Sequence, residues 1–399
     1  MGFRQFVALI AALMATNALA VDTMLPALGQ IGASLGLAAA NERQFVITAY
    51  LLGFGAAQIF YGTLADRFGR KPVLLAGLGI YIIASLAAAF AGSFDEMMAA
   101  RVIQGLGAAA TRVLAVSIVR DCYAGRLMAR VMSLSFIVFL GVPILAPSIG
   151  QLIMLVAPWR SIFIALAIYA TGVAIWVMRA LPETLHPADR RPISFAHISA
   201  AARLTLSNRI SLGYTAALTL VIAGMFGFIN SAQQVFTQVF HEPRMFTVIF
   251  AGIAGSIAVA SLVNSRLVGR LGSRMISHAA LLGFLAVAVV HAAMAIAGHE
   301  TLLSFALLQA AMMFCFGLMV GNFGAMSMEP LGHIAGAAAS IQGFVSTVAA
   351  ALIGFAIGQS FDGTVVPITC GFALCSAAAL AVVLIAERGV LFNPRNARA

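Results

Sequence analysis

Tyr61-Gly62-Thr63-Leu64-Ala65-Asp66-Arg67-Phe68-Gly69-Arg70-Lys71-Pro72 is a short charged stretch between two long apolar runs, and its reading decides the fold. Two glycines permit a tight turn with close backbone approach, and Pro72 suits the first turn of a following helix. Asp66 is the one acid among Arg67, Arg70 and Lys71. Retention of basic residues on one face of a membrane accounts for the arginines and the lysine. It does not account for both glycines and the aspartate at these spacings.

Outward from this stretch the chain is almost wholly apolar. It is 62% hydrophobic and 9% charged, with a mean hydropathy of +1.02, whereas a soluble domain carries roughly a quarter charged residues. Runs of about 20 residues, enough to cross a hydrocarbon core of roughly 30 Å, recur twelve times. They lie near 6–27, 42–62, 72–92, 98–119, 131–156, 160–181, 210–231, 245–264, 275–297, 301–327, 337–360 and 364–386. The chain therefore reads as an all-α membrane protein. Arg4 and Ala18-Leu19-Ala20 make the first run look like a cleavable leader. The run continues through Asp22 to Pro26, however, and its removal would leave an odd number of spans, so it is read as a retained helix.

With the N-terminus inside, cytoplasmic segments hold Arg4, Arg67, Arg70, Lys71, Arg120, Arg126, Arg130, Arg179, Arg190, Arg191, Arg203, Arg209, Arg266, Arg270, Arg274, Arg388, Arg395 and Arg398. Only Arg43, Arg160 and Arg244 fall on the other side. This asymmetry places both termini of a multi-pass inner-membrane protein in the cytoplasm. It also uses the net charge of +10 in orienting helices and meeting anionic lipid, not in binding nucleic acid. Cys122, Cys315, Cys370 and Cys375 have neither zinc-ligand spacing nor the look of a disulfide framework.

The longest polar stretch, 182–209, divides the runs six and six, giving an N-terminal bundle 1–181, a linker, a C-terminal bundle 210–387 and a tail 388–399. His186 and His197 in the linker read as solvated. Ser265 to Arg274 falls where the second half should repeat Gly62 to Lys71: Leu64 matches Leu267, Arg67 matches Arg270, Gly69 matches Gly272 and Lys71 matches Arg274, while Gly269 replaces Asp66. A decayed duplicate of this kind implies two six-helix halves around a central site.

Charges inside a bilayer cost at least ~2.5–3.5 kcal/mol each, so those present need a reason. Three qualify: Asp22 in the first run, and Arg101 and Arg112 in the fourth. Asp22 and Arg101 sit at similar depth and can pair, either as a static ion pair or as a proton site. Arg112 follows Arg101 by eleven residues, which returns to nearly the same helix face about 16 Å deeper. It either faces the cavity or snorkels to the interface. His291 is the titratable side chain deep in the second half and reads as structural. Gly141, Pro143, Pro147 and Gly150 interrupt the fifth run as a hinge. Asn17, Gln58, Ser135, Asn230, Gln233, Gln234 and Gln342 are candidate cavity polar groups beside Phe226, Phe228 and Phe236, the alternative for each polar group being an interhelical contact.

The Tyr61–Pro72 stretch resembles the G-x-L-a-D-R-x-G-R-K-x signature of the major facilitator superfamily, found between its second and third helices. Tyr50, Gly53, Gly55 and Gln58 resemble the drug:proton antiporter branch, and Asp22 followed four residues later by Pro26 is similar to the family's first helix. Arg101-Val102-Ile103-Gln104-Gly105-Leu106-Gly107-Ala108-Ala109 is similar to the fourth-helix motif R-x-x-Q-G-x-G-a-a. By that resemblance Arg101 and Gln104 act in proton coupling with Asp22. Gly62, Asp66, Arg67, Gly69 and Arg70 form a conformational latch, with Asp66 near the start of the eleventh helix at Ala337. Ala146-Pro147-Ser148-Ile149-Gly150-Gln151 lacks two glycines of the antiporter motif G-P-x-x-G-G. Glu329 to Gly336 resembles the loop of bicyclomycin/chloramphenicol-resistance antiporters.

The resemblance implies twelve transmembrane helices in two six-helix bundles, alternating access, and a monomeric transporter with protons as coupling ion and no cofactor. The expected activity is export of a small drug-like or metabolic compound in exchange for protons. One acid against two arginines favours neutral, zwitterionic or anionic substrates. The alternatives are a proton-coupled importer on the same fold and, more distantly, a membrane-embedded enzyme, for which no paired catalytic groups at one interface are found.

Overall fold

The computed structural model describes residues 1–190, 192 and 195–393, and for a few of these, among them Arg126, His197 and His333, the backbone alone. Arg191, Arg395 and Arg398 of the basic set lie outside the described residues. The helices are α1 Phe3–Asp22, α2 Leu28–Ser34, α3 Phe45–Phe68, α4 Arg70–Phe90, α5 Phe94–Cys122, α6 Gly125–Val156 and α7 Arg160–Ala180. After them come α8 Phe195–Ser207, α9 Arg209–Gln234, α10 Phe246–Leu271, α11 Ser273–Ile296, α12 Leu302–Met328, α13 Ala335–Gln359 and α14 Val366–Ala386. Twelve spans are long and apolar enough to cross a membrane, with α1 and α2 forming one broken span, Phe3–Ser34. The sequence expectation of twelve holds. The first and fourth spans start or end further out than read, so Asp22 and Arg101 lie deeper than expected.

Local chemistry sets several of these ends. Ser93 caps α5 by accepting from the Glu96 amide at 3.2 Å, and Asn208 caps α9 by accepting from Ile210 and Ser211 at 3.1 and 3.0 Å. Pro26 lacks an N–H, and its ring excludes the carbonyl four residues earlier, that of Asp22. The first span accordingly breaks at Asp22, passes through a 3₁₀ turn at Leu25–Ala27 and resumes as α2.

By contact the chain divides into one unit, Met1–Ala201 with Ala339–Val348, and a second, Ala202–Ala338 with Ala349–Ala399. In the first unit α5 is central. Gly53 and Gly105 let α3 and α5 approach backbone to backbone, since a Cβ on Gly53 would meet the Val102 carbonyl oxygen at 2.1 Å and one on Gly105 that of Tyr50 at 2.1 Å. Gly150 does the same for α6 against the broken span, where a Cβ would lie 1.8 Å from the Thr23 carbonyl oxygen. The helix α6 runs unbroken through Pro143 and Pro147.

In the second unit Phe228, Phe236, Phe246, Phe250 and Phe305 pack ring on ring at 5.5–6.4 Å. Phe228 and Phe236, expected to line a cavity, are core residues instead, because their neighbours on α10 and α12 are aromatic as well. All four cysteines are free.

The charged stretch is not a loop. Helix α3 continues to Phe68 and α4 starts at Arg70, so Gly69 alone makes the connection, at φ 102° and ψ 157°. Gly62 sits within α3, where a Cβ would meet Ser340 Oγ at 3.3 Å, and is no part of the turn. Gly272 joins α10 to α11 in the same way, at φ 81° and ψ 156°. That region is open essentially to glycine alone, so Gly69→Ala and Gly272→Ala should each cost about 1–3 kcal/mol. The loss should be larger at Gly69, whose Cβ would also meet Glu183 Oε2 at 2.5 Å, whereas Gly272 has open space. Thermal unfolding of the detergent-solubilised variants checks the order.

Candidate functional site

The first unit contains a buried polar centre built on α1, α3, α4 and α5. Arg101 is 0% exposed, and its guanidinium donates from Nε to the Val46 carbonyl at 2.9 Å, from Nη2 to the Ala20 carbonyl at 3.2 Å, and from Nη1 to Gln104 Oε1. Gln104 Nε2 then donates to Ser85 Oγ at 2.7 Å, and Ser85 donates to the Tyr81 carbonyl at 2.7 Å. The guanidinium carbon lies over the Tyr50 ring at 4.5 Å, a favourable placement for a cation on a π face. Tyr50 donates to Asn17 Oδ1 at 2.9 Å.

The expected Asp22–Arg101 ion pair does not form. Arg101 reaches the right depth but takes a backbone carbonyl of α1, not the carboxylate. The break at Asp22 explains this: the last carbonyls of a helix lack intrahelical partners and carry the negative end of its dipole. The Ala20 oxygen is one of these, and it answers the guanidinium. Asp22 is left 6% exposed, and among the described residues no hydrogen bond or ion pair reaches its carboxylate. Neither of its oxygens is among the sealed polar atoms.

At the turn end of the same unit, Arg70 donates from Nη1 to Asp66 Oδ1 at 2.6 Å and from Nε to Asp121 Oδ2 at 2.9 Å. Glu183 accepts from the free amides of Arg70 and Lys71 at 2.9 and 3.2 Å and so caps α4. Lys71 Nζ donates to the Met178 carbonyl at 2.9 Å. Arg67 is exposed. Asp121 and Glu183, which complete this cluster, carry no local motif in the sequence and were missed.

The second unit repeats the wiring. Arg274 donates to Glu329 Oε2 at 3.0 Å and to Glu387 Oε1 at 2.9 Å, from acids just past α12 and α14. Tyr214 donates to the same Glu387 oxygen at 2.7 Å and lies 2.9 Å from His278 Nε2, while the Phe392 amide donates to His278 Nδ1 at 3.0 Å. With Nδ1 an acceptor and the Tyr214 proton given to Glu387, the imidazole carries its proton on Nε2. The C-terminal stretch is thereby held on α11, with Arg388 and Phe392 at positive φ. Replacing His278 by Leu should raise hydrogen exchange of the Phe392 amide by roughly tenfold or more, the loss of about one buried hydrogen bond. Exchange mass spectrometry of the 388–393 segment reads this.

The remaining candidates divide. Gln58 donates to Thr347 Oγ1 at 3.1 Å, an interhelical contact within the first unit. Ser135 donates to the Val7 carbonyl at 3.4 Å. Asn230 is 1% exposed with both amide atoms unpartnered, Gln233 Oε1 is likewise unpartnered, and both precede a π-helical turn at Val235–Val239. Phe226 packs half-buried beside Ala223, Ala350 and Cys375. Arg112 is exposed. His291 Nε2 lies 3.5 Å from Glu300 Oε1 with both side chains buried, and burial pushes the Glu300 carboxyl above its usual range.

The family model described as Major Facilitator Superfamily matches residues 7–358. The chain belongs to that superfamily. It is thus a multi-pass inner-membrane transporter and not an enzyme. Among similar superfamily proteins, "Multidrug resistance protein MdtL" of Escherichia coli O9:H4 (strain HS) is 31% identical over 339 residues, covering 83% of each chain. "Uncharacterized MFS-type transporter YdgK" of Bacillus subtilis (strain 168) is 28% identical over 355 residues, covering 87% of this chain and 86% of its own. "Bicyclomycin resistance protein homolog" of Haemophilus influenzae is 29% identical over 262 residues, covering 65% and 66%. The human organic anion transporter MFSD10 (TETRAN) shares the fold, with a TM-score of 0.73 over 97% of this chain and 100% of that one at 17% identity.

Replacing Arg101 by Leu would leave Gln104 Oε1 and the Ala20 carbonyl without the donor they have here, and would take one of two donors from the Val46 carbonyl. A loss of about 1–3 kcal/mol is expected, the cost of leaving buried neutral acceptors unsatisfied, and unfolding midpoints in detergent measure it.

Proposed function

We propose that this superfamily member exports a small drug-like compound in exchange for protons, with Asp22 as the proton carrier. The observation that carries the reading is a buried carboxylate with no counter-charge, placed at the break of a membrane helix and still reachable. Irregular backbone at membrane depth is tolerated where it is buried in protein or lines a water-filled cavity. A carboxylate that no arginine neutralises can load and release a proton with access to water, which a static ion pair cannot. Resemblance to proteins named for multidrug and bicyclomycin resistance supports export over import. Arg101 and Gln104 hold α1, α3 and α5 in register around the carrier.

The Gly69 turn with Asp66, Arg70, Asp121 and Glu183 acts as a latch on the cytoplasmic side, where both termini lie, and Pro143, Pro147 and Gly150 adjust α6 against Asp22. The protein works as a monomer with the proton as its coupling ion and no cofactor.

A growth-inhibition panel in an efflux-deficient host, with and without a protonophore, identifies an exported compound. In proteoliposomes, Asp22→Asn should then bind that compound within about twofold of wild type but fail to concentrate it under a pH gradient. Concentration retained by the variant rules Asp22 out as the carrier.

A further inference from the structure

Arg101 and Arg112 share one helix and one face, yet their surroundings are opposite. Eleven residues at about 100° each return Arg112 to the stripe that carries Arg101, Gly105 and Ala108, about 16 Å further along α5. Arg101 is fully buried with three acceptors. Arg112 is exposed, and among the described residues no hydrogen bond or ion pair engages it.

Exposure to lipid is disfavoured, because a charge at this depth is costly unless it faces the bundle interior or a water-filled cavity. Around Arg112 on α5, Gly105 and Ala108 at about 20–40° are buried, while Val116, also about 40° away, is 43% exposed. Escape to an interface is also disfavoured. The nearer helix end, Cys122, is ten residues on, about 15 Å, whereas side chains on a helix lean towards its N-terminus, in the other direction. An unpaired guanidinium thus stands at the edge of the buried face of α5, at a depth where a charge needs a partner. The acids Asp66, Asp121 and Glu183 of this unit are committed to Arg70 and the start of α4. Asp22 is level with Arg101, not with Arg112.

We infer that Arg112 is an anion-recognition site selecting transported compounds that bear a carboxylate. The planar fork of five N–H donors matches a carboxylate in bidentate fashion and repels an unpaired cation. This rests on the transport reading above and narrows its substrate class.

The test is fluorescence-polarisation binding to the purified full chain in detergent, without a gradient, using 7-hydroxycoumarin-3-carboxylate and its 3-carboxamide as probes. Wild type should prefer the carboxylate by about tenfold, the scale of one charge-assisted hydrogen bond. Arg112→Gln should bring the ratio to about one and Arg112→Lys should retain part of it, since a point charge replaces the fork. Equal affinities in wild type, no binding of either probe, or an undiminished ratio in Arg112→Gln each overturn the inference. No proton movement enters this assay, so failure here leaves the Asp22 reading standing, and failure of Asp22 leaves this one measurable.

Discussion

A permanent positive charge in the middle of a membrane protein must be answered by fixed groups nearby, and the answer to Arg101 organises the first unit. Its three acceptors come from α1, α3 and α5 itself, and its fourth support is the Tyr50 ring. Each acceptor is neutral. The charge is met by dipoles, above all the free end of α1, and this leaves the carboxylate two residues further on uncommitted. Had Asp22 closed on Arg101, its proton affinity would be tied to a partner that never leaves. The helix break at Pro26 thus does two things at once: it supplies the carbonyl that satisfies the arginine, and it frees the acid.

The same economy of wiring appears at the ends of both units. In each, a one-residue glycine turn brings an arginine at the start of a helix to acids at the ends of two other helices: Asp121 in the last turn of α5 and Glu183 after α7 in one, Glu329 and Glu387 just past α12 and α14 in the other. The copies have diverged where function can differ. Asp66 extends the first cluster along α3, whereas Gly269 takes its place in the second. There Tyr214, His278 and the Phe392 amide form an added chain that pins the C-terminal stretch. A duplicated ion cluster has one copy free to acquire such a role while the other holds the bundle.

Much of this was legible in the residues. Twelve apolar runs, the duplicated Gly69 and Gly272 stretches, and the intramembrane Asp22, Arg101 and Arg112 all follow from length, hydropathy and spacing, which are local properties. The break at Pro26 was not read, since the first run was taken as one helix, although its cause is as local: a missing N–H acts within one turn. The sequence also placed Asp22 and Arg101 at one depth, since rise per residue is fixed by helix geometry. What it could not decide was which atom each charge would meet. Arg101 found a carbonyl and not a carboxylate, Phe228 and Phe236 turned into core, and Glu183 and Glu387 became caps and counter-ions. Those outcomes depend on which helices lie side by side and how closely. That is set by small residues such as Gly53, Gly105 and Gly150 admitting a neighbouring backbone, and hydrogen bonds lose their strength within an ångström of misplacement. Sequence alone determined where the charges lie along the membrane; only tertiary packing decided their partners, because partnership is a matter of distance between helices that no single helix encodes.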